Sequence, residues 1–143
     1  MLTSLELTGI LRKSGYKVTP QRLAIYEELA KEHWHPSAEL LYERLKAKYP
    51  SLSLATVYKT MEILSDVKVA RMLSTPEASV RFDGDMSDHG HCQCIRCNKI
   101  VDIRFNKDDL THKVEKETNF LITAKEIYFF GLCPACRQNN SEH

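Results

Sequence analysis

Two Cys-x-x-Cys pairs, Cys94/Cys97 and Cys133/Cys136, bracket the last third of this chain and restrict how it can close. Four thiols at this spacing suit a tetrahedral Zn(II) site, and zinc held that way contributes directly to folding. A disulfide or redox pair is the reading left open beside it. Directly before the first pair stands Asp88-His89-Gly90-His91. Two histidines with carboxylates nearby suit a harder, more exchangeable ion, Fe(II), Mn(II) or Zn(II). The chain therefore carries donors for two chemically different metal sites.

At 143 residues the chain fits one domain or two very small ones, and a small second half needs a staple of the kind zinc provides. No apolar run reaches transmembrane length, and Met1-Leu2-Thr3-Ser4-Leu5-Glu6 lacks the basic and apolar regions of a secretion signal. A cytoplasmic protein without a membrane partner is expected, a setting in which Cys-x-x-Cys pairs hold metal more often than they form disulfides. The net charge is only +1, but Lys and Arg outnumber the acids over residues 1–72 and the balance reverses over 73–143. A mildly basic front half is compatible with nucleic-acid binding.

The front half reads as helices with clear punctuation. Leu5, Leu7, Ile10 and Leu11 recur at helical spacing and Gly15 closes that helix. Thr19 caps and Pro20 opens a second helix, with Leu23, Ile25, Tyr26 and Leu29 as its stripe. Ser37 caps a third, burying Ala38, Leu41, Leu45 and Tyr49 before Pro50. Ser51 or Ser53 caps a fourth, with Leu54, Val57, Tyr58, Met61 and Leu64 inward and Ala55, Thr56 and Lys59 outward. Two β-like runs follow, Val69–Ser74 and Ser79–Phe82. Helices and then a hairpin is the order of a winged helix-turn-helix, with a plain helical bundle plus hairpin as the alternative.

After Asp83 the texture changes. His89–Cys94 and Ile100–Phe105 read as strands, Asp108–Thr118 as a helix and Phe120–Phe130 as a strand. The expected class is α+β: a winged helix-turn-helix DNA-binding domain over residues 1–82, then a small α/β domain over 83–143 built on a structural zinc. Asn98 follows Cys97 and tolerates the left-handed backbone that a metal-binding knuckle needs. Cys92, a fifth thiol, alternates with His91 and points to the opposite face of its strand. It reads as a buried free cysteine, with an auxiliary redox thiol as the alternative.

Thr19-Pro20-Gln21-Arg22, His35-Pro36-Ser37-Ala38-Glu39, Ser53-Leu54-Ala55-Thr56-Val57-Tyr58, Asp88-His89-Gly90-His91 and both Cys-x-x-Cys pairs occur in that order. Together they resemble the ferric uptake regulator superfamily, and within it the peroxide-stress repressors. The resemblance implies a homodimeric, metal-dependent repressor of operator DNA and no enzyme. It further implies a regulatory site for Fe(II) or Mn(II) made of His35, Asp83, His89, His91 and Asp102, whose filling shifts a closed–open equilibrium. Cys94, Cys97, Cys133 and Cys136 are then the structural zinc ligands.

Iron-sensing relatives commonly place Glu where this chain has Asp83 and Asp102, so the resemblance favours peroxide sensing. His35 and His89 are the implied sites of oxidation. An iron- or zinc-responsive repressor without peroxide chemistry is the alternative. Thr56, Tyr58 and Lys59 in the fourth helix, with Arg22 on the backbone, are the expected DNA contacts.

Overall fold

The computed structural model describes residues 1–31, 33–76, 79–105 and 108–138, in two compact units, Met1–Met86 and Ser87–His143. The first unit holds α1 (Ser4–Lys13), α2 (Pro20–Ala30), α3 (Ala38–Leu45) and α4 (Leu54–Asp66), then β1 (Arg71–Leu73) paired antiparallel with β2 (Arg81–Asp83). The unit runs past the expected boundary at residue 83. Asp83 closes the β1–β2 ladder opposite Arg71, and Arg71 also reaches the Asp85 carbonyl at 2.6 Å.

Local chemistry sets these helices. Thr3, Thr19, Ser37 and Ser53 each accept the backbone N–H three residues on, satisfying donors the first turn leaves open. Ser53, not Ser51, caps α4. At the other end of α1 the chain turns at Gly15, where φ is +81°. The Tyr16 N–H then returns to the Leu11 carbonyl at 2.9 Å, a left-handed closure that glycine adopts without strain.

Leu7, Leu11, Ile25, Leu29, Leu41, Val57, Met61 and Leu64 form the centre of one continuous core. Phe82 of β2 joins it at 1 % exposure, a burial that contributes about 1.5–3 kcal/mol. Two residues of the apolar helical patterns stay in water. Leu5 is 81 % exposed, and Tyr58 is 38 % exposed because its hydroxyl donates to Glu39 Oε1 at 2.7 Å. Thr60 and Ile63 occupy the buried face of α4 instead.

The second unit holds β3 (Gly90–Cys94), β4 (Ile100–Ile103), α5 (Asp108–Thr118), β5 (Tyr128–Gly131) and the short α6 (Pro134–Gln138). Its sheet has the order β4-β3-β5: β3 and β4 form an antiparallel hairpin, and β5 returns parallel to β3 after α5. That return needs a crossover, which α5 supplies. The long strand expected over Phe120–Phe130 is shorter: Tyr128–Gly131 alone pairs. The stretch before it has no partner strand among the described residues, and without a ladder an extended run is not a strand. No described helix is long and apolar enough to cross a membrane.

Gly90 is the tight point of this sheet. A Cβ there would sit 2.5 Å from Phe105 Cε2 and 3.0 Å from the Ile127 carbonyl oxygen. The Gly90→Ala variant is therefore expected to lose about 1–3 kcal/mol, read as a lower urea midpoint at unchanged slope. An unshifted midpoint would show that Phe105 swings aside at no cost.

Candidate metal centre

The hairpin between β3 and β4 is a knuckle. Asn98 sits at φ +59°, its N–H bonds the Cys94 carbonyl at 2.9 Å, and the Cys94 N–H bonds the Lys99 carbonyl at 2.9 Å. This turn presents Cys94 and Cys97 from one side, while Cys133 and Cys136 come from the end of β5 and from α6. The four Sγ atoms lie within 4.8 Å of one another, and none of the five cysteines is in a disulfide. Cys97 and Cys133 stand 3.8 Å apart. Thiolates at ~2.3 Å from a tetrahedral zinc are separated by about that distance.

Backbone donors prepare the thiolates. The N–H groups of Cys133 and Cys97 hold the Cys94 thiol down to about 6, although its burial opposes this. Cys136 moves the other way, up to about 12, chiefly through its hydrogen bond with Cys133. Removing protons from such a cluster is what a cation does, and the donor set fits Zn(II) in its structural role.

The second donor set of this unit lies on β3, on β4 and on the residue just before β3. His89 Nε2 and His91 Nε2 are 3.1 Å apart, and Asp102 Oδ1 lies 3.5 Å and 3.7 Å from them. Register explains the meeting: His91 on β3 pairs with Asp102 on β4. The other nitrogen of His89, Nδ1, faces the Ser87 carbonyl at 2.9 Å, which orients the ring and leaves Nε2 for an ion. His91 is stacked on Tyr128, ring centroids 5.4 Å apart. Neighbouring ligands about 2.1 Å from a shared ion lie about 3.0–3.4 Å apart; the two imidazoles match that spacing and Asp102 stands slightly outside it, and a mixed nitrogen–oxygen set of this kind suits Fe(II) or Mn(II).

In the first unit, β2 fixes two further donors. The Phe82 N–H bonds the Pro36 carbonyl at 2.9 Å, and Arg81 Nη1 donates to the His35 carbonyl at 2.6 Å. These contacts tie the His35 loop to the strand that ends in Asp83, and donor atoms of His35 and Asp83 lie within 4.8 Å of each other. Asp83 Oδ2 is 3.3 Å from Arg71 Nε, and its Oδ1 accepts the Asp85 N–H at 2.8 Å. Both residues are buried.

The expected DNA contacts sit on and beside α4. Tyr58 and Lys59 are on its exposed side and Thr56 is half-buried. Thr56 Oγ1 shares a hydrogen bond with Ser53 Oγ at 2.9 Å, and Lys59 Nζ is 3.0 Å from Glu62. Arg22 donates to the Lys17 carbonyl. Glu62, which holds Lys59, carries no motif, and Glu39, though part of the His35–Glu39 motif, gave no sign that it would hold Tyr58. The Ser87 carbonyl has no sequence signal either, because any residue would supply it.

Four capped helices, a wing and two donor sets define a metal-responsive regulator of winged-helix type. The ferric uptake regulator family pattern matches residues 13–130, and the chain belongs to that family. It is 33% identical over 137 residues to the peroxide-responsive repressor PerR of Staphylococcus epidermidis, covering 95% of this chain and 91% of the relative. Among solved structures, the Campylobacter jejuni peroxide stress regulator superimposes with a TM-score of 0.72 at 28% identity, covering 95% and 100% of the two chains. The Helicobacter pylori ferric uptake regulator, described as having three functional metal binding sites, gives 0.83 at 23% identity over 94% and 91%.

Proposed function

We propose that this chain is a cytoplasmic, homodimeric repressor of operator DNA that reports hydrogen peroxide through Fe(II). The ligands that the family resemblance implies for the regulatory ion are His35 and Asp83, in the first unit, and His89, His91 and Asp102, in the second. The observation that carries this reading is the convergence of His89, His91 and Asp102 on one spot, with both imidazoles buried and His91 set beside Asp102 by strand register. The identity to a peroxide-responsive repressor along 95% of the chain supports the choice of signal.

Fe(II), when bound, would supply the reducing equivalent that cleaves the peroxide O–O bond beside the ligand histidines. The net change in the protein inserts one oxygen atom into His35 or His89. An imidazole C–H bond and the O–O bond break, a C–O bond forms, and the second peroxide oxygen leaves as water. An oxidised imidazole binds the ion less well, and the equilibrium between DNA-binding and open forms moves toward release.

On the DNA side, Thr56 and Tyr58 meet the duplex from α4, Lys59 reaches a base edge and Arg22 contacts phosphate. The Lys59–Glu62 pair is exposed, so its attraction is weak and screened by salt, and Lys59 can exchange it for DNA. The second copy covers apolar surface that the second unit leaves in water: Phe120 is 71%, Leu121 85% and Phe129 51% exposed.

The test is peptide mass spectrometry on zinc-replete protein loaded anaerobically with Fe(II) and pulsed with stoichiometric peroxide. A single added oxygen on the His35 or His89 peptide is expected, and none when Mn(II) replaces iron. No adduct, with Fe(II) demonstrably bound, would leave an iron- or zinc-responsive repressor without peroxide chemistry.

A further inference from the structure

Gln93 violates the rule that buried polar groups are bonded. It is 2% exposed, and neither its amide oxygen nor its amide nitrogen has a hydrogen-bond partner among the described residues. An idle buried amide is destabilising, and one substitution to an apolar side chain of similar size would remove the penalty. Breaks of this kind concentrate where a chain holds a group for chemistry.

The position of Gln93 says which chemistry. Successive residues of β3 alternate, so Gln93 shares its face with His91, while Cys92 and Cys94 face the other way. Register sets Gln93 opposite Ile100 on β4 and Phe130 on β5, one pleat along from His91, Asp102 and Tyr128. Phe130 is stacked with Tyr128 at 6.2 Å, and Tyr128 with His91 at 5.4 Å. The amide thus stands between apolar neighbours, next in line to the imidazole–carboxylate cluster. Residues two apart on a strand are separated by about 6.7 Å, a gap that a glutamine side chain and one small molecule can span.

We propose that Gln93 is a positioning residue for the small oxygen ligand of the regulatory ion, water at rest and hydrogen peroxide during sensing. This rests on the metal reading above. On that reading a six-coordinate ion held by His89, His91 and Asp102 with the implied ligands of the first unit would still have room for one oxygen ligand. There the amide N–H donates to an oxygen of the ligand and the amide carbonyl accepts its O–H. The oxidation this serves is the oxygen insertion already balanced, with Gln93 unchanged at its end.

The experiment compares the full chain with Gln93→Met and, in case that side chain repacks badly, Gln93→Leu. Three quantities are read: the thermal midpoint of zinc-loaded, iron-free protein, the Mn(II) affinity, and the rate of oxygen addition to the His35 and His89 peptides per bound Fe(II). The midpoint is expected to rise by about 3 °C, Mn(II) affinity to stay within about threefold, and the addition rate to fall about tenfold.

A lower midpoint in both variants would overturn the proposal, because the amide would then serve the fold. An addition rate within twofold of the parent, or a loss of Mn(II) affinity in step with the rate, would overturn it as well. If the parent chain forms no adduct, the peroxide reading itself fails and this inference fails with it, whatever the midpoint does.

Discussion

Replacing Cys133 and Cys136 together by serine is expected to abolish zinc retention and unfold β3–β5 while α1–α4 stay folded. The reason is where the core lies. Every residue of the apolar core cluster, from Leu7 to Phe82, belongs to the first unit. Among the described residues of the second unit the buried ones are His89, Gly90, His91, Gln93 and Cys94, a set with almost no apolar surface to hide. Hydrophobic burial cannot hold such a unit against the entropy of its chain.

Structural zinc in small domains contributes on the order of 10 kcal/mol near neutral pH, and here it joins the β3–β4 knuckle to α6. The check is zinc content beside amide exchange along the chain. Expected are a zinc affinity lower by roughly a thousandfold or more and near-unprotected amides in β3 and β5, with α1–α4 protection unchanged. Protected β3–β5 amides in zinc-free protein would show that apolar contacts alone suffice.

Acid should act in the same direction. Zinc displaces thiol protons, so its uptake weakens as pH falls. Cys94, held down to about 6, is ionised at neutrality, and the backbone contacts favouring its thiolate are lost as pH drops through that value. Cys136, raised to about 12, gives up its proton to the metal rather than to solvent at neutral pH.

What the sequence disclosed follows the range of the interaction concerned. Helix starts at Thr19-Pro20 and Ser37 were legible, and that of the fourth helix was narrowed to Ser51 or Ser53, because a cap is settled within four residues. The knuckle at Asn98 was legible for the same reason. Tyr58 was misplaced because periodicity counts its ring as apolar, while its hydroxyl finds a carboxylate on another helix, at Glu39. The strand expected over Phe120–Phe130 was too long because a strand needs a partner, and alternation along one segment cannot show whether one exists.

The metal donors divide the same way. His89 and His91, two apart, announced a shared face, whereas Asp102 reaches them only through the register of a hairpin. Asp83 and His35 meet through contacts of Arg81 and Phe82 that spacing does not encode, and a resemblance to relatives was needed to name them. Gln93 carried no signal at all. A glutamine between two cysteines looks like a solvated side chain until its burial is seen.

His91→Ala is the second large effect expected. His91 is the hinge of the donor set, 3.1 Å from His89 Nε2, 3.7 Å from Asp102 Oδ1 and paired in register with Asp102. Removing a supporting partner of a metal ligand costs about 10–100-fold in affinity, so removing a ligand should cost more. Mn(II) affinity is expected to fall by about a hundredfold or more, measured by the loss of the free-ion electron paramagnetic resonance signal on titration.

The structural zinc is the internal control. Its thiolates are on the opposite face of β3 or on other elements, so zinc content should not change and β3–β5 amides should stay protected. The alanine also removes the ring stacked on Tyr128, and a general loosening would weaken both metals together. A fall in Mn(II) affinity with zinc retained therefore separates ligation from packing. Mn(II) affinity within threefold of the parent would mean that His91 is a satisfied buried histidine and that the regulatory ion binds elsewhere.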